Sequence, residues 1–516
     1  MLKKKIYAKA IKKVVLGDKI GIEEFVAVAR FNAHLEFSEN YEKRVRKSRN
    51  LVERWIAEDR VMYGITTGFG VLCTQMISAE ETAKLQKNIV LCHSTSVGEP
   101  LPSEQVRGIM LMVLQNVGQG VSGARIETME MYRQFLNLDL IPFAPGEGSV
   151  GYLAIEAHIA LVLMGEGKAY VGGELLPAKE ALNKVGLKPI DLVAKEGLSL
   201  TNGTTSPTGI GALALYDMLN AAKSADIIGA MSLEVLKGTT RAFDDRLMSI
   251  RPHENQRSSA ENVRRILGDS EIAKNFEHYR LQDALSIRCI PQLHGAAKKT
   301  LNDALKTIEI EMNGCSDNPI IWSEGEDGEA ISGGNCDSSY VGIEMDCACI
   351  AATMIGKMSE RRNNRLIDGN LSEYPWFLIK NPGLNSGLMI PQYTQAGLLN
   401  DMKILSHPAT VDCISTCGNQ EDYVAMGYNA SKKASLIACK LEFILAIEIL
   451  SVYEAHQFMD GHLAGTASRA VLDEIKLTVP VMEEDMYLYP HINALRDLIH
   501  SGKLIELVEN KIGELV

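Results

Sequence analysis

A chain of 516 residues with 46% hydrophobic and 23% charged residues has ample material for a soluble globular core. Its net charge of −12 excludes the basic face that a nucleic-acid partner would need. The ten cysteines form no CxxC pair and no Cys/His cluster of zinc spacing, so no metal is expected, and free thiols fit a reducing, cytoplasmic setting.

Taken from the start, Met1-Leu2-Lys3-Lys4-Lys5 is basic, but the apolar residues after it are interspersed with lysines and form no signal-peptide core. Up to about residue 60, apolar residues at helical spacing among Lys and Glu predict surface helices. Residues 61–76 are too rich in glycine for a regular element and read as a binding loop. Helices are predicted over 79–92, 103–118 and 126–136. Next comes Pro145-Gly146-Glu147-Gly148-Ser149-Val150-Gly151-Tyr152, running into an apolar helix that ends near Met164. It is either a tight turn before a core helix or a loop that approaches a ligand closely. It lacks the dinucleotide fingerprint and the P-loop lysine, so phosphate binding is not expected.

A hairpin is predicted over 165–173 and another around Glu326-Asp327-Gly328. From Ser206-Pro207, a fair N-cap and first-turn pair, long helices dominate: 209–237, 281–312 with Pro291 as a kink, 341–366, 391–404 and 421–460, with 367–390 as loop. Such helices belong in a bundle core, which makes the fold mainly α, in two parts of one compact chain, 1–206 and 207–516. The most apolar late stretch, 435–452, is broken by Lys440, Glu442 and Glu448, so no membrane span is expected.

Tyr63 sits inside the first glycine-rich loop, in Tyr63-Gly64-Ile65-Thr66-Thr67-Gly68-Phe69-Gly70. A tyrosine there either holds the loop or faces a cleft as a base, and the second role requires a nearby cation to lower its pKa of about 10. Arg288, in Gln282-Asp283-Ala284-Leu285-Ser286-Ile287-Arg288, offers a planar fork for a carboxylate.

Together these motifs resemble the histidine/aromatic amino acid ammonia-lyases. The resemblance rests on the Tyr63 loop, Gly148-Ser149-Val150-Gly151, Leu91-Cys92-His93-Ser94, Asn202 in Leu200-Thr201-Asn202-Gly203, Gln282 with Arg288, and Asn419-Gln420-Glu421-Asp422. It implies an elongated long-helix bundle of the fumarase/aspartase-like type, assembled as a homotetramer with shared active sites. It implies Tyr63 as the base that takes the β-proton, with His93, Asn202, Gln282, Arg288 and Glu421 binding substrate.

The family's prosthetic group, methylidene-imidazolone, forms from an Ala-Ser-Gly triad, and here Tyr152 follows Gly151 directly. Ile155, Glu156, Leu285, Thr205, Cys336 and Tyr423 also depart from the family pattern. These departures imply a branch without the prosthetic group, similar to ergothionase. It would work with no cofactor and eliminate trimethylamine from a histidine-derived betaine, most simply ergothioneine. Tyr152 and Phe69 would then cage the quaternary cation, at about 0.5–2 kcal/mol. The alternatives are an ordinary histidine or aromatic ammonia-lyase, giving urocanate and ammonia in the histidine case, and an inactive scaffold.

Overall fold

The computed structural model describes residues 7–68, 70–78, 81–325, 327–459 and 461–516. Helices dominate, and the chain divides into two compact units. The first comprises residues 1–213, 305–346 and 408–432, the second 214–304, 347–407 and 433–516.

Every strand among the described residues lies in the first unit, and every sheet is small. Lys13–Leu16 pairs in parallel with His34–Phe37, and Val97–Pro100 pairs with Pro145–Glu147. Leu140–Pro142, Lys168–Val171 and Glu174–Pro177 form a three-stranded antiparallel sheet, and Ile320–Trp322 pairs with Glu329–Ile331. Both predicted hairpins are present, although Glu326 falls outside the described residues.

The core helix of this unit, Ser103–Gly118, is buried from Gln105 to its end. It crosses the start of Thr205–Val235 at backbone distance. A Cβ added at Gly209 would lie 2.9 Å from the Gly108 carbonyl carbon, and one at Gly108 would lie 3.3 Å from the Gly209 oxygen. Only glycine at both positions permits that approach.

The second unit holds paired buried ions. Arg362 grips Glu448 through Nε–Oε1 at 2.5 Å and Nη2–Oε2 at 2.9 Å, both side chains fully buried. Asp226 accepts from His294 Nδ1 at 2.8 Å and bonds Lys298. These partners outweigh the burial that would otherwise raise the Asp226 carboxyl, and hold it well below the usual carboxylate range.

The predicted helices are present at Thr82–His93, Ser103–Gly118, Ile126–Asn137, Thr205–Val235, Ser339–Ile367, Met389–Leu405 and Gly427–His456. Three expectations are corrected. Pro291 does not kink a helix over 281–312: a turn at Leu285–Arg288 precedes the helix Ile290–Met312, whose first turn holds the proline, where its missing N–H costs nothing. The early segment is not all helix, because Lys13–Leu16 and His34–Phe37 satisfy each other as strands. The helix predicted from 421 starts at Gly427, after a tight turn over 416–421. No helix among the described residues is long and apolar enough to cross a membrane.

Removing one member of a buried ion pair strands the other. Arg362→Met therefore loses about 3–5 kcal/mol of unfolding free energy, measured by urea denaturation, and the double variant Arg362→Met/Glu448→Leu regains most of it.

Candidate active site

The Tyr63 loop is folded by its own threonines. Thr66 Oγ1 accepts the Met62 N–H at 2.8 Å and donates to the Arg60 carbonyl at 2.8 Å, while Thr67 Oγ1 accepts the Gly64 N–H at 3.1 Å. Hydroxyls thus stand in for ladder partners, and Gly64 takes the positive φ of +67° that the turn requires. Tyr63 is left half-buried, its hydroxyl accepting the Gly70 N–H at 3.0 Å. Burial raises the phenol above its ordinary pKa; the Gly70 donor opposes this, while Cys417, Cys73 and Glu421 reinforce it.

His93 ends the helix Thr82–His93, and Gln86 on the same helix anchors it. The Gln86 side chain, fully buried, accepts the Leu198 N–H at 3.1 Å and donates to the Gly64 carbonyl at 3.4 Å. One amide thereby links the Tyr63 loop, the His93 helix and the helix Glu196–Thr201, whose C-cap is Asn202. Asn202 is buried and donates to the Asn318 carbonyl at 2.9 Å. Burial lowers the His93 pKa, against the smaller opposing pulls of the Ile89 carbonyl and the Glu421 charge, which favours the neutral imidazole.

The glycine-rich stretch is a strained turn. Gly148 and Gly151 have φ of +96° and +141°, and Leu153, which is not glycine, has φ +75° and ψ −62°. With Ala154 N–H bonded to the Tyr152 carbonyl at 3.0 Å, Leu153 is the centre of a γ-turn of the rare, strained hand, at a cost of about 1–3 kcal/mol. The Leu153 N–H, bonded to the Thr201 carbonyl at 2.9 Å, and Ser149 Oγ, accepting from Gly151 N–H at 3.2 Å, hold the turn. It delivers the Tyr152 hydroxyl to Glu421 Oε2 at 3.0 Å, where Thr416 also donates at 2.7 Å. Burial first, then the Glu421 charge, holds the Tyr152 phenol far above its ordinary range.

Tyr63, His93, Tyr152, Asn202 and Glu421 thus all belong to the first unit, and Glu421 acts electrostatically on Tyr63, His93 and Tyr152. Phe69 lies outside the described residues. Gln282 and Arg288 belong to the second unit. Gln282 is exposed, and Arg288 is half-buried with its Nε shielded from solvent and without a hydrogen-bond partner among the described residues. Leu285 is exposed beside them and lines an apolar cavity of about 770 Å³ within the same unit.

The sequence reading missed several polar groups. Glu156 is fully buried and accepts from the Thr205 hydroxyl at 3.1 Å and the Ser206 N–H at 2.9 Å. Two departures from the family pattern therefore meet, and burial raises the Glu156 carboxyl. Glu311 accepts from Thr204 at 3.1 Å, its carboxyl also raised by burial, and with Asn335 and Asp337 lines a polar cavity of about 320 Å³. Asp337 accepts from the Tyr423 hydroxyl at 2.9 Å. The signal available for Glu156 was a carboxylate inside an apolar helix, which needs a partner when buried.

A family profile described as aromatic amino acid lyase matches residues 20–477. The chain is 41% identical to the histidine ammonia-lyase of Caldanaerobacter subterraneus subsp. tengcongensis, over 97% of this chain and 99% of that protein. The crystal structure of histidine ammonia-lyase from Trypanosoma cruzi superposes with a TM-score of 0.90 at 32% identity, covering 96% of this chain and 95% of that one. That of the ergothioneine-degrading ergothionase from Treponema denticola gives 0.88 at 25% identity, covering 96% and 99%.

These findings overturn the expected ergothionase-like branch. The chain is 41% identical to a histidine ammonia-lyase over nearly its whole length against 25% to ergothionase, and that whole-chain similarity outweighs departures at a few positions. Ergothioneine as substrate, trimethylamine as leaving group and a cofactor-free reaction fall with it, as does the quaternary-cation cage assigned to Tyr152 and Phe69. The residues between Gly148 and Leu153 do not themselves supply an Ala-Ser-Gly triad.

A Cβ at Gly151 would meet Ser338 Oγ at 2.6 Å, besides the positive φ. Gly151→Ala is expected to cost about 1–3 kcal/mol in urea unfolding. Adding Ser338→Ala restores part of it, because the Ser338 Cβ lies farther off, at 3.6 Å.

Proposed function

The chain belongs to the aromatic amino acid lyase family, and from that premise we propose that it is a carbon–nitrogen lyase converting histidine to urocanate and ammonia. The observation that carries the proposal is the whole-length similarity to histidine ammonia-lyases, joined to the presence of His93 and Glu421 in the same unit as Tyr63. A histidine ring carries one N–H donor and one acceptor nitrogen. Glu421 accepts the first, and His93, in the tautomer that leaves a ring N–H toward the substrate, serves the second.

In this reading Tyr63 is the base. As its phenolate it takes the β-proton, the C–H electron pair forms the double bond and the α-ammonium leaves with the C–N pair as ammonia, while the Gly70 N–H steadies the phenolate oxygen. Asn202 orients the substrate by its amide; in the second unit, Arg288 has the planar fork of a carboxylate clamp, with its Nε unpartnered among the described residues. A cytoplasmic location suits a protein whose ten cysteines are all free thiols.

Purified protein given L-histidine should release urocanate, read by its ultraviolet absorbance, together with an equal amount of ammonia. Absence of both overturns the reading. Because the Tyr63 pKa is raised, its base form grows as pH rises, so kcat/KM should climb through the alkaline range. Tyr63→Phe should lose about 10²–10⁴-fold in kcat and abolish that climb.

A further inference from the structure

The two oxygens of Glu421 have different surroundings. Oε2 accepts the Tyr152 and Thr416 hydroxyls, whereas Oε1 accepts no hydrogen bond among the described residues. The donors come from separate segments. Thr416 pairs with Glu421 across its own tight turn, through Thr416 N–H to the Glu421 carbonyl at 2.8 Å, while Tyr152 arrives from the strained turn far away in sequence. A carboxylate gripped by one oxygen keeps the other in a fixed direction, with its lone pairs unspent.

We infer that Tyr152 is a positioning residue: its hydroxyl fixes the Glu421 carboxylate so that Oε1 is presented to the substrate. The inference rests on the proposal that Glu421 meets the substrate ring, and it gives Tyr152 a task through another side chain. Its surroundings suit the task. A phenol this strongly held in its protonated form remains a donor throughout the working pH range. The turn that aims it is fixed by backbone bonds on both sides of Tyr152. A tyrosine present only to fill space would need its ring and not its hydroxyl.

Tyr152→Phe, which keeps the ring, separates the two. A hydrogen bond to a charged group is worth enough that its loss weakens binding by about tenfold or more. The expected result is a KM for histidine about tenfold higher, with kcat much less affected and the thermal midpoint nearly unchanged. In a Glu421→Gln background the same Tyr152→Phe change should have little further effect on KM. Equal losses in both backgrounds, or an unchanged KM in the single variant, overturn the inference.

Crystal structures of the parent and Tyr152→Phe supply a readout independent of turnover. The Glu421 carboxylate should leave its position, or lose a single ordered position, in the variant; an unmoved, ordered carboxylate overturns the inference. If the parent makes no urocanate, the functional reading fails on its own, and the two crystal structures still decide whether Tyr152 places Glu421.

Discussion

The site in the first unit depends on one buried amide. Gln86 spends its oxygen on Leu198 N–H and its nitrogen on the Gly64 carbonyl, and a Cβ at Gly197 would stand 2.4 Å from the Gln86 backbone oxygen. The helix that ends in His93, the loop that carries Tyr63 and the short helix capped by Asn202 are thereby tied at a single point. A buried amide must be satisfied or it costs stability, so these three elements settle together. Chemistry-bearing residues that lie far apart in sequence share a frame because a residue with no chemistry of its own holds it.

Charge is buried in two ways. Some ions meet partners side by side, as in Arg362 with Glu448 and Asp226 with His294 and Lys298 in the second unit, and fully buried Lys195 with Asp317 in the first. Other carboxylates are served by hydroxyls or backbone N–H groups: Glu156, Glu311 and Glu421 in the first unit, and Glu454, which accepts the Met482 N–H, in the second. Hydroxyl donors satisfy a carboxylate without bringing a counter-charge. At Glu421 that leaves an acceptor oxygen in the unit that holds Tyr63 and His93, which suits an N–H-bearing ring.

Much of this was legible in the sequence where backbone demands are local. The glycines around Tyr63 and before Tyr152 announced turns, and the structure puts positive φ at Gly64, Gly148 and Gly151. Long apolar helices were readable from periodicity, down to the boundaries of Ser103–Gly118. Non-local partners were not readable. Lys13–Leu16 becomes a strand only because His34–Phe37 lies beside it, and Glu421 acquires Tyr152 across just over half the chain. The step from motif to reaction failed for a different reason. The loop after Gly151 was weighed as if it defined the branch, whereas the rest of the chain, matched almost end to end, places it with histidine ammonia-lyases. The departures at Tyr152, Glu156 and Thr205 form hydrogen bonds with their surroundings, a local accommodation that no single position reveals.

The glycine crossing in the first unit also has a mechanical consequence. Two helices whose backbones touch at Gly108 and Gly209 cannot slide or roll past one another, since turning either one drives a side chain into a space that admits none. The crossing is therefore a fixed joint, and enlarging either residue would be felt along both helices.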